Sequence, residues 1–343
     1  MKQISATNEQ WHQLFDIVAR LKKLAPWDWM YDSDIFGVED PATGTIGYCY
    51  VLGAAGEEFG IVVHPGSAGL MSYLQIMEAD EQPSQELMDN LNCLQLTFDD
   101  RDYVTEQDRE VYKKLDLKFR GKKSWPIIRS YVPGYSPWIP NQEEVQFLIN
   151  ILNEAIRVCE RAREHPESIR PRESGDMLEL MVRKSLKSDA LFSWESEWII
   201  PDEPEQDVEI PETDVTRLRD LGKDVSFRKN IWEFDAWFFP QATLDNKDER
   251  PYFPLILLWA DQTSGAILSQ EIARIDEIAK VSHEMFYQLL ASSKIVPAEI
   301  WVSRFDLLDI LTPICEAAKI QLEAYDQLIA IGTIRAFMQN SMS

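Results

Sequence analysis

Two groups of residues have types and spacing that could do chemistry. The first is a carboxylate set in an aromatic strand, Ile231-Trp232-Glu233-Phe234-Asp235-Ala236-Trp237-Phe238-Phe239. Side chains alternate across a strand, so Glu233, Asp235 and Trp237 share one face while Phe234, Ala236 and Phe238 share the other. The second is the stretch from Lys113 to Trp138, which holds Lys113, Lys114, Lys118, Arg120, Lys122, Lys123 and Arg129 against a single acid, Asp116. Phe119, Trp125, Tyr131, Tyr135 and Trp138 are interleaved with these cations. Cations neutralise phosphate or carboxylate groups and aromatic rings stack on planar ones. Lys118, Arg120, Lys122, Lys123, Trp125, Arg129 and Tyr131 are therefore the candidates for binding an anionic ligand. The competing expectation is that the cations pair with neighbouring carboxylates and the aromatics fill a core.

Other chemistries find little support. His283-Glu284 opens like a zinc-protease helix, but Tyr287 stands where the second histidine is required. Four histidines in the whole chain make a multi-histidine metal site a poor expectation. His64-Pro65-Gly66-Ser67 brings a serine near a histidine without the G-x-S-x-G spacing of a nucleophile elbow. Gly66 and Gly69 would at most open a helix. Gly53, Gly56 and Gly60 do not have the spacing of a dinucleotide-binding turn, and there is no Walker A sequence. No cofactor is expected from these patterns.

The elements that must position the candidates follow from periodicity. Trp11, Leu14, Phe15, Val18 and Leu21 recur at helical steps over Asn8 to Leu24. Strands are expected at 46–53, 59–64, 93–98 and 125–132, and helices at 70–77, 105–115 and 141–163. Thr105 with Asp108 makes a capping box, and Asn141 caps the last of these helices. Strands at 177–182 and 190–200 read as a connecting region. Pro201 to Val215 holds seven acids, three prolines and no base, the composition of a solvated linker. From residue 231 the expected order is β-β-β-α-β-α-β-α. The expected organisation is an α+β protein with an N-terminal domain over 1–165, a connecting region over 166–230 and a C-terminal domain over 231–343.

With 343 residues, two domains is the reasonable prior. Hydrophobic residues at 45% and charged residues at 27% are ordinary globular values. Thirty-four bases against 58 acids leave a formal net charge of −24, which repels polyanions at long range and disfavours nucleic acid as a partner. No apolar run reaches the ~20 residues that span a bilayer, so no membrane association is expected. The first residues lack a signal peptide's apolar core, and Cys49, Cys93, Cys159 and Cys315 have no C-x-x-C spacing. A cytoplasmic location fits both observations.

Two resemblances add to this reading. Leu117-Lys118-Phe119-Arg120-Gly121-Lys122-Lys123-Ser124-Trp125-Pro126, Trp232 to Pro240 and Arg250-Pro251-Tyr252-Phe253-Pro254 resemble a group of uncharacterised bacterial proteins with two domains of unknown function. Some of those relatives carry a SEC-C-type zinc motif, which the cysteine spacing here excludes. The strand order of 231–338, with the run Arg250 to Leu268, resembles the ribonuclease H-like fold of ribonucleases H and integrase-type transposases. That resemblance implies carboxylates from the first strand, the fourth strand and a late helix converging on Mg²⁺ or Mn²⁺. Here it points to Asp235, with Asp306 and Asp309 slightly late in sequence. The fourth strand ends Ser303-Arg304, and the last helix, 327–338, has no acid. The leading expectation is a non-enzymatic binding or interaction module with an unidentified protein or anionic ligand as partner. The alternative is a metal-dependent nuclease built on Asp235, Asp306 and Asp309.

Overall fold

The computed structural model describes residues 4–78, 85–175, 177–188, 191–204, 211–221, 230–246 and 249–342. The chain forms two compact units: 1–205 together with Asp245–Arg250, and 206–244 together with 251–343.

The first unit begins with helix α1 (Asn8–Leu24), closed at its start by a capping box between Thr7 and Gln10. Strands β1 (Phe36–Glu39), β2 (Ile46–Leu52) and β3 (Gly60–Pro65) follow, then helices α2 (Gly66–Met77) and α3 (Gln85–Asp89). Next come β4 (Cys93–Asp99), α4 (Glu106–Lys114), β5 (Trp125–Tyr131), the long α5 (Gln142–Glu164), and strands β6 (Arg172–Ser174), β7 (Met177–Ser188) and β8 (Leu191–Ile199). The sheet order is β5-β4-β3-β2-β1-β7-β6, with β8 paired to β7. β1 to β5 form an antiparallel meander, whereas β7 joins β1 in parallel. Helices α1 and α5 cover one face: Leu14, Leu21, Val145 and Leu152 are buried there against Val38, Val51 and Leu96. α2 covers part of the other face, where Leu70 and Tyr73 meet Tyr48 and Leu180.

Both expected caps form. Thr105 and Asp108 bond reciprocally at the start of α4, and Asn141 with Glu144 does the same for α5. The expected boundary near residue 165 gives way to a later one. β7 has no other route to bury Leu180, Met181 and Val182 than to extend the first unit's sheet through β1, a pairing between residues about 145 apart that no local pattern records. Of the acidic stretch 201–215, residues 205–210 lie outside the described residues.

The second unit comprises α6 (Val215–Leu221), β9 (Ile231–Phe238), β10 (Leu255–Asp261), β11 (Ile267–Ala273), α7 (Ile278–Ser293), β12 (Glu299–Val302), α8 (Phe305–Ala318), β13 (Gln321–Ala324) and α9 (Ile329–Met342). From β9 onward this is the β-β-β-α-β-α-β-α order expected from sequence. The sheet runs β11-β10-β9-β12-β13; the β9–β10–β11 pairings are antiparallel, and β12 is parallel to both β9 and β13. α7 and α8 cover the face bearing Phe234, Ala236 and Phe238. α9, with Leu328 just before it, covers the face bearing Trp237 through Ala330 and Ile331. β9 is thus buried on both sides, which explains its dense aromatic composition.

The close approach of β3 to β4 requires a glycine at one position. A Cβ on Gly60 would run into the backbone carbonyl of Leu96, and backbone cannot yield as a side-chain tip can. Gly60→Ala should destabilise the first unit by about 1–3 kcal/mol in urea unfolding; unchanged stability would contradict the β3–β4 register.

Candidate functional site

Asp235 lies in the middle of β9, the central strand of the second unit, with only 5% of its surface exposed. Its Oδ1 accepts hydrogen bonds from the Ser303 hydroxyl (2.7 Å) and from the Ala236 amide (2.9 Å). Ser303 follows directly after β12, so the parallel β9–β12 pairing delivers that hydroxyl. Burial raises the Asp235 pKa, while Ser303, the Ala236 amide and the cations of Arg304 and Arg335 oppose the rise. Arg335 comes from α9, and its guanidinium lies 5.3 Å from the Trp237 ring centre.

Asp306 is engaged by Arg304. The guanidinium donates from Nε to Asp306 Oδ1 (2.9 Å), from Nη2 to Oδ2 (2.6 Å), and from Nη1 to the Ala236 carbonyl (2.8 Å). Asp309 stands one turn further along α8. Among the described residues no three His, Cys, Asp or Glu side chains form a group able to hold a metal ion. The space beside Asp235 and Asp306 is held by a fixed cation, Arg304. The residues therefore do not fit the divalent metals implied by the ribonuclease H-like resemblance.

Glu233, two residues before Asp235, is fully buried and accepts the Ile331 amide in the first turn of α9 (2.9 Å). This carboxylate fixes the N-terminus of the helix that covers the face, a favourable place for negative charge. Sequence reading put Glu233 on the correct face but could not supply its partner, which lies 98 residues away.

The basic stretch of the first unit separates into inward and outward parts. Arg129 is half-buried on β5 and grips Asp108 through both guanidinium ends, Nη1–Oδ1 and Nη2–Oδ2 each at 2.7 Å. Trp125 packs against the core and meets Phe119 edge-on, with ring centres 5.9 Å apart. Tyr131 is partly buried, and burial lifts its phenol to about 12. The Lys123 ammonium donates to the Glu57 carbonyl (2.8 Å), and its amide donates to Asp100. Lys118 pairs with Asp116 at 3.1 Å, both exposed. Arg120 and Lys122 project from the loop around Gly121. The candidates do not share one environment: Trp125 packs against the core and Arg129 is taken by Asp108 of α4, while Arg120 and Lys122 stand exposed in the loop before β5. Asp108, which sequence reading assigned to a helix cap, is also the buried partner of this arginine.

With this geometry in place, the chain can be set against known proteins. Residues 11–182 match a family described as domain of unknown function (DUF7309), and residues 217–339 match domain of unknown function (DUF6930). The chain belongs to this two-domain family, and the family-model bounds fall within the two structural units. A search of curated proteins finds no match. Among solved structures, the HTLV-2 integrase catalytic core domain in complex with magnesium matches at 16% identity, covering 34% of this chain and 70% of that one, with a TM-score of 0.25. A likeness at that level supports no inference about activity.

Two outcomes follow from the partners described. Removing one member of a buried ion pair costs about 3–5 kcal/mol, so Arg129→Ala should destabilise the first unit on that scale. Arg120→Ala and Lys122→Ala should leave chemical unfolding unchanged; equal effects at all three sites would contradict the inward–outward division. Asp235 binds its proton more tightly folded than unfolded, because burial raises its folded pKa above the ordinary aspartate value of 3.8. Its contribution to stability is therefore full below that value and declines as pH rises from 3.8 through the folded pKa. Asp235→Asn should accordingly be more favourable at pH 7 than at pH 3.5, relative to wild type, in urea titrations; a pH-independent difference would exclude this linkage.

Proposed function

We propose that this protein is a non-enzymatic binding or interaction module that works in the cytoplasm. The observation that carries this reading is Arg304. A two-metal nuclease needs carboxylate oxygens converging on an open, cation-accepting space. In the second unit that position holds a guanidinium bonded to both oxygens of Asp306 and to the Ala236 carbonyl. Asp235 is satisfied by Ser303 and its neighbouring amide, as a structural carboxylate would be.

Surface composition supports an interaction role. Phe305, Ile329, Phe337 and Ile272 remain 67–79% exposed in the second unit, and exposed large apolar side chains mark contact surfaces when they group together. A partner of this module is a protein or a small anionic ligand; the net charge of −24 opposes a long polyanion. Four buried free cysteines support a reducing compartment. No helix among the described residues is long and apolar enough to cross a membrane.

The test is calorimetric titration of Mg²⁺ and Mn²⁺ into wild type and Asp235→Asn, with nuclease assays on both. The expected result is no saturable binding that depends on Asp235 and no Asp235-dependent cleavage. Saturable metal binding lost in Asp235→Asn together with cleavage would replace this reading by the metal-dependent nuclease of Asp235, Asp306 and Asp309.

A further inference from the structure

The sequence has its conspicuous basic run at 113–138, but the fold assembles a different basic-aromatic site. It lies in the first unit, between the C-terminal half of α5 and the β7–β8 hairpin, as a cleft of about 510 Å³. Four arginines reach it from three segments: Arg157 and Arg161 from α5, Arg172 from β6 and Arg183 from β7. Two tryptophans, Trp194 and Trp198, reach it from β8. They stand four residues apart on the same face of that strand, with Ser196 between them. Only two carboxylates line the cleft, Glu154 and Glu167. Four cations against two anions give it a formal charge of +2, in a chain whose net charge is −24.

The arginines are not equivalent. Arg183 is the rigid one: Nε and Nη2 donate to Glu154 Oε1 at 2.9 and 2.8 Å, and Nη1 donates to Ser196 Oγ at 3.0 Å. Glu154 is buried, and its other oxygen accepts from Arg157 at 3.1 Å. This one carboxylate orients two guanidinium groups toward the cleft. Arg161, one turn beyond Arg157 and exposed, forms no ion pair with a described residue. Arg172 lies flat against Trp198, its guanidinium carbon 3.5 Å from the ring centre. The floor is apolar, with Val158, Ile169 and Met181 all buried.

We infer that this cleft binds a small organic phosphate carrying a planar ring, of mononucleotide size. Guanidinium groups match phosphate in planar, bidentate geometry, which a lysine point charge does not. Indole faces stack planar rings, and an arginine already stacked on one of them extends that platform. The cleft volume lies within the range of small-molecule sites, about 300–1,000 Å³. The phosphate would sit on Arg157 and Arg161, whose guanidinium groups lie at the exposed end. The ring would lie against Trp194 and the Arg172–Trp198 stack. No bond is made or broken in this step; it is a binding equilibrium.

This site is separate from the carboxylates of the second unit, so either reading can fail alone. The experiment is calorimetric titration of AMP, GMP, CMP and UMP into the full chain, with EDTA present to remove divalent cations. Adenosine and inorganic phosphate serve as partial probes. The expected result is saturable binding of at least one mononucleotide, at least tenfold weaker binding of both partial probes, and weakening with added salt. Arg161→Glu and Trp194→Ala should each weaken it at least tenfold. Arg161→Glu should leave the melting temperature unchanged, because that side chain has no described ion pair to lose. Absence of saturable binding by all four mononucleotides at millimolar concentration would overturn the proposal. So would affinity unchanged in Arg161→Glu, and so would inorganic phosphate binding as tightly as the nucleotides.

Discussion

A chain with 58 acids and 34 bases cannot bury a carboxylate without finding it a partner. An ionised carboxylate taken from water loses several kcal/mol of solvation, which must be offset by a cation or by well-placed N–H and O–H donors. The deeply placed acids here meet that demand in different ways and to different extents. Asp108 takes Arg129, Glu154 takes Arg183 and Arg157, and Asp235 takes Ser303 and a backbone amide with Arg304 nearby. Glu233 takes the first turn of a helix. These pairings join elements far apart in sequence, and they specify which faces meet as well as stabilising them.

In the second unit this requirement also bears on chemistry. β9 carries two carboxylates into a sheet covered on both faces. A divalent metal would be one way to neutralise them, but the chain uses Arg304, Arg335 and the α9 N-terminus instead. Glu233 uses only one oxygen in this way; its Oε1 is buried with no hydrogen-bond partner among the described residues. The first unit uses an arginine in the same manner at Arg250, whose guanidinium bonds the carbonyls of Ser130 and Ser136 and the Ser130 hydroxyl. That hydroxyl in turn donates to Glu144, the acid that closes the cap of α5. Burial depresses the Arg250 pKa to about 10, still well above neutral, so the side chain keeps its charge.

The cleft between α5 and the β7–β8 hairpin shows the same economy turned outward. A single buried carboxylate, Glu154, binds two arginines that line the cleft, Arg183 nearly buried and Arg157 exposed. This is how an acidic protein can present a local positive site while its long-range field stays negative.

Much of the architecture was legible in the sequence, because its causes are local. Helical periodicity placed α1 and α5, capping residues placed the starts of α4 and α5, and the aromatic run at 231–239 placed β9, with the two-residue repeat of a strand assigning its side chains to faces. The β-β-β-α-β-α-β-α order of the second unit followed from the same signals. Other features depended on contacts that composition and spacing do not encode. β1 is four residues long and was unreadable as a strand, yet it carries the parallel pairing that brings β7 into the first unit. The run at 113–138 is basic and aromatic in sequence, but its members divide between core packing at Trp125, the ion pair of Arg129 with Asp108 and the exposed loop of Arg120 and Lys122. Arg157, Arg161, Arg172 and Arg183 carry no signal as a group in the linear chain, because they stand on three separate elements. Local sequence determined the elements and their buried faces; tertiary pairing decided which charges meet, because electrostatic partners are chosen by distance in space and not along the chain.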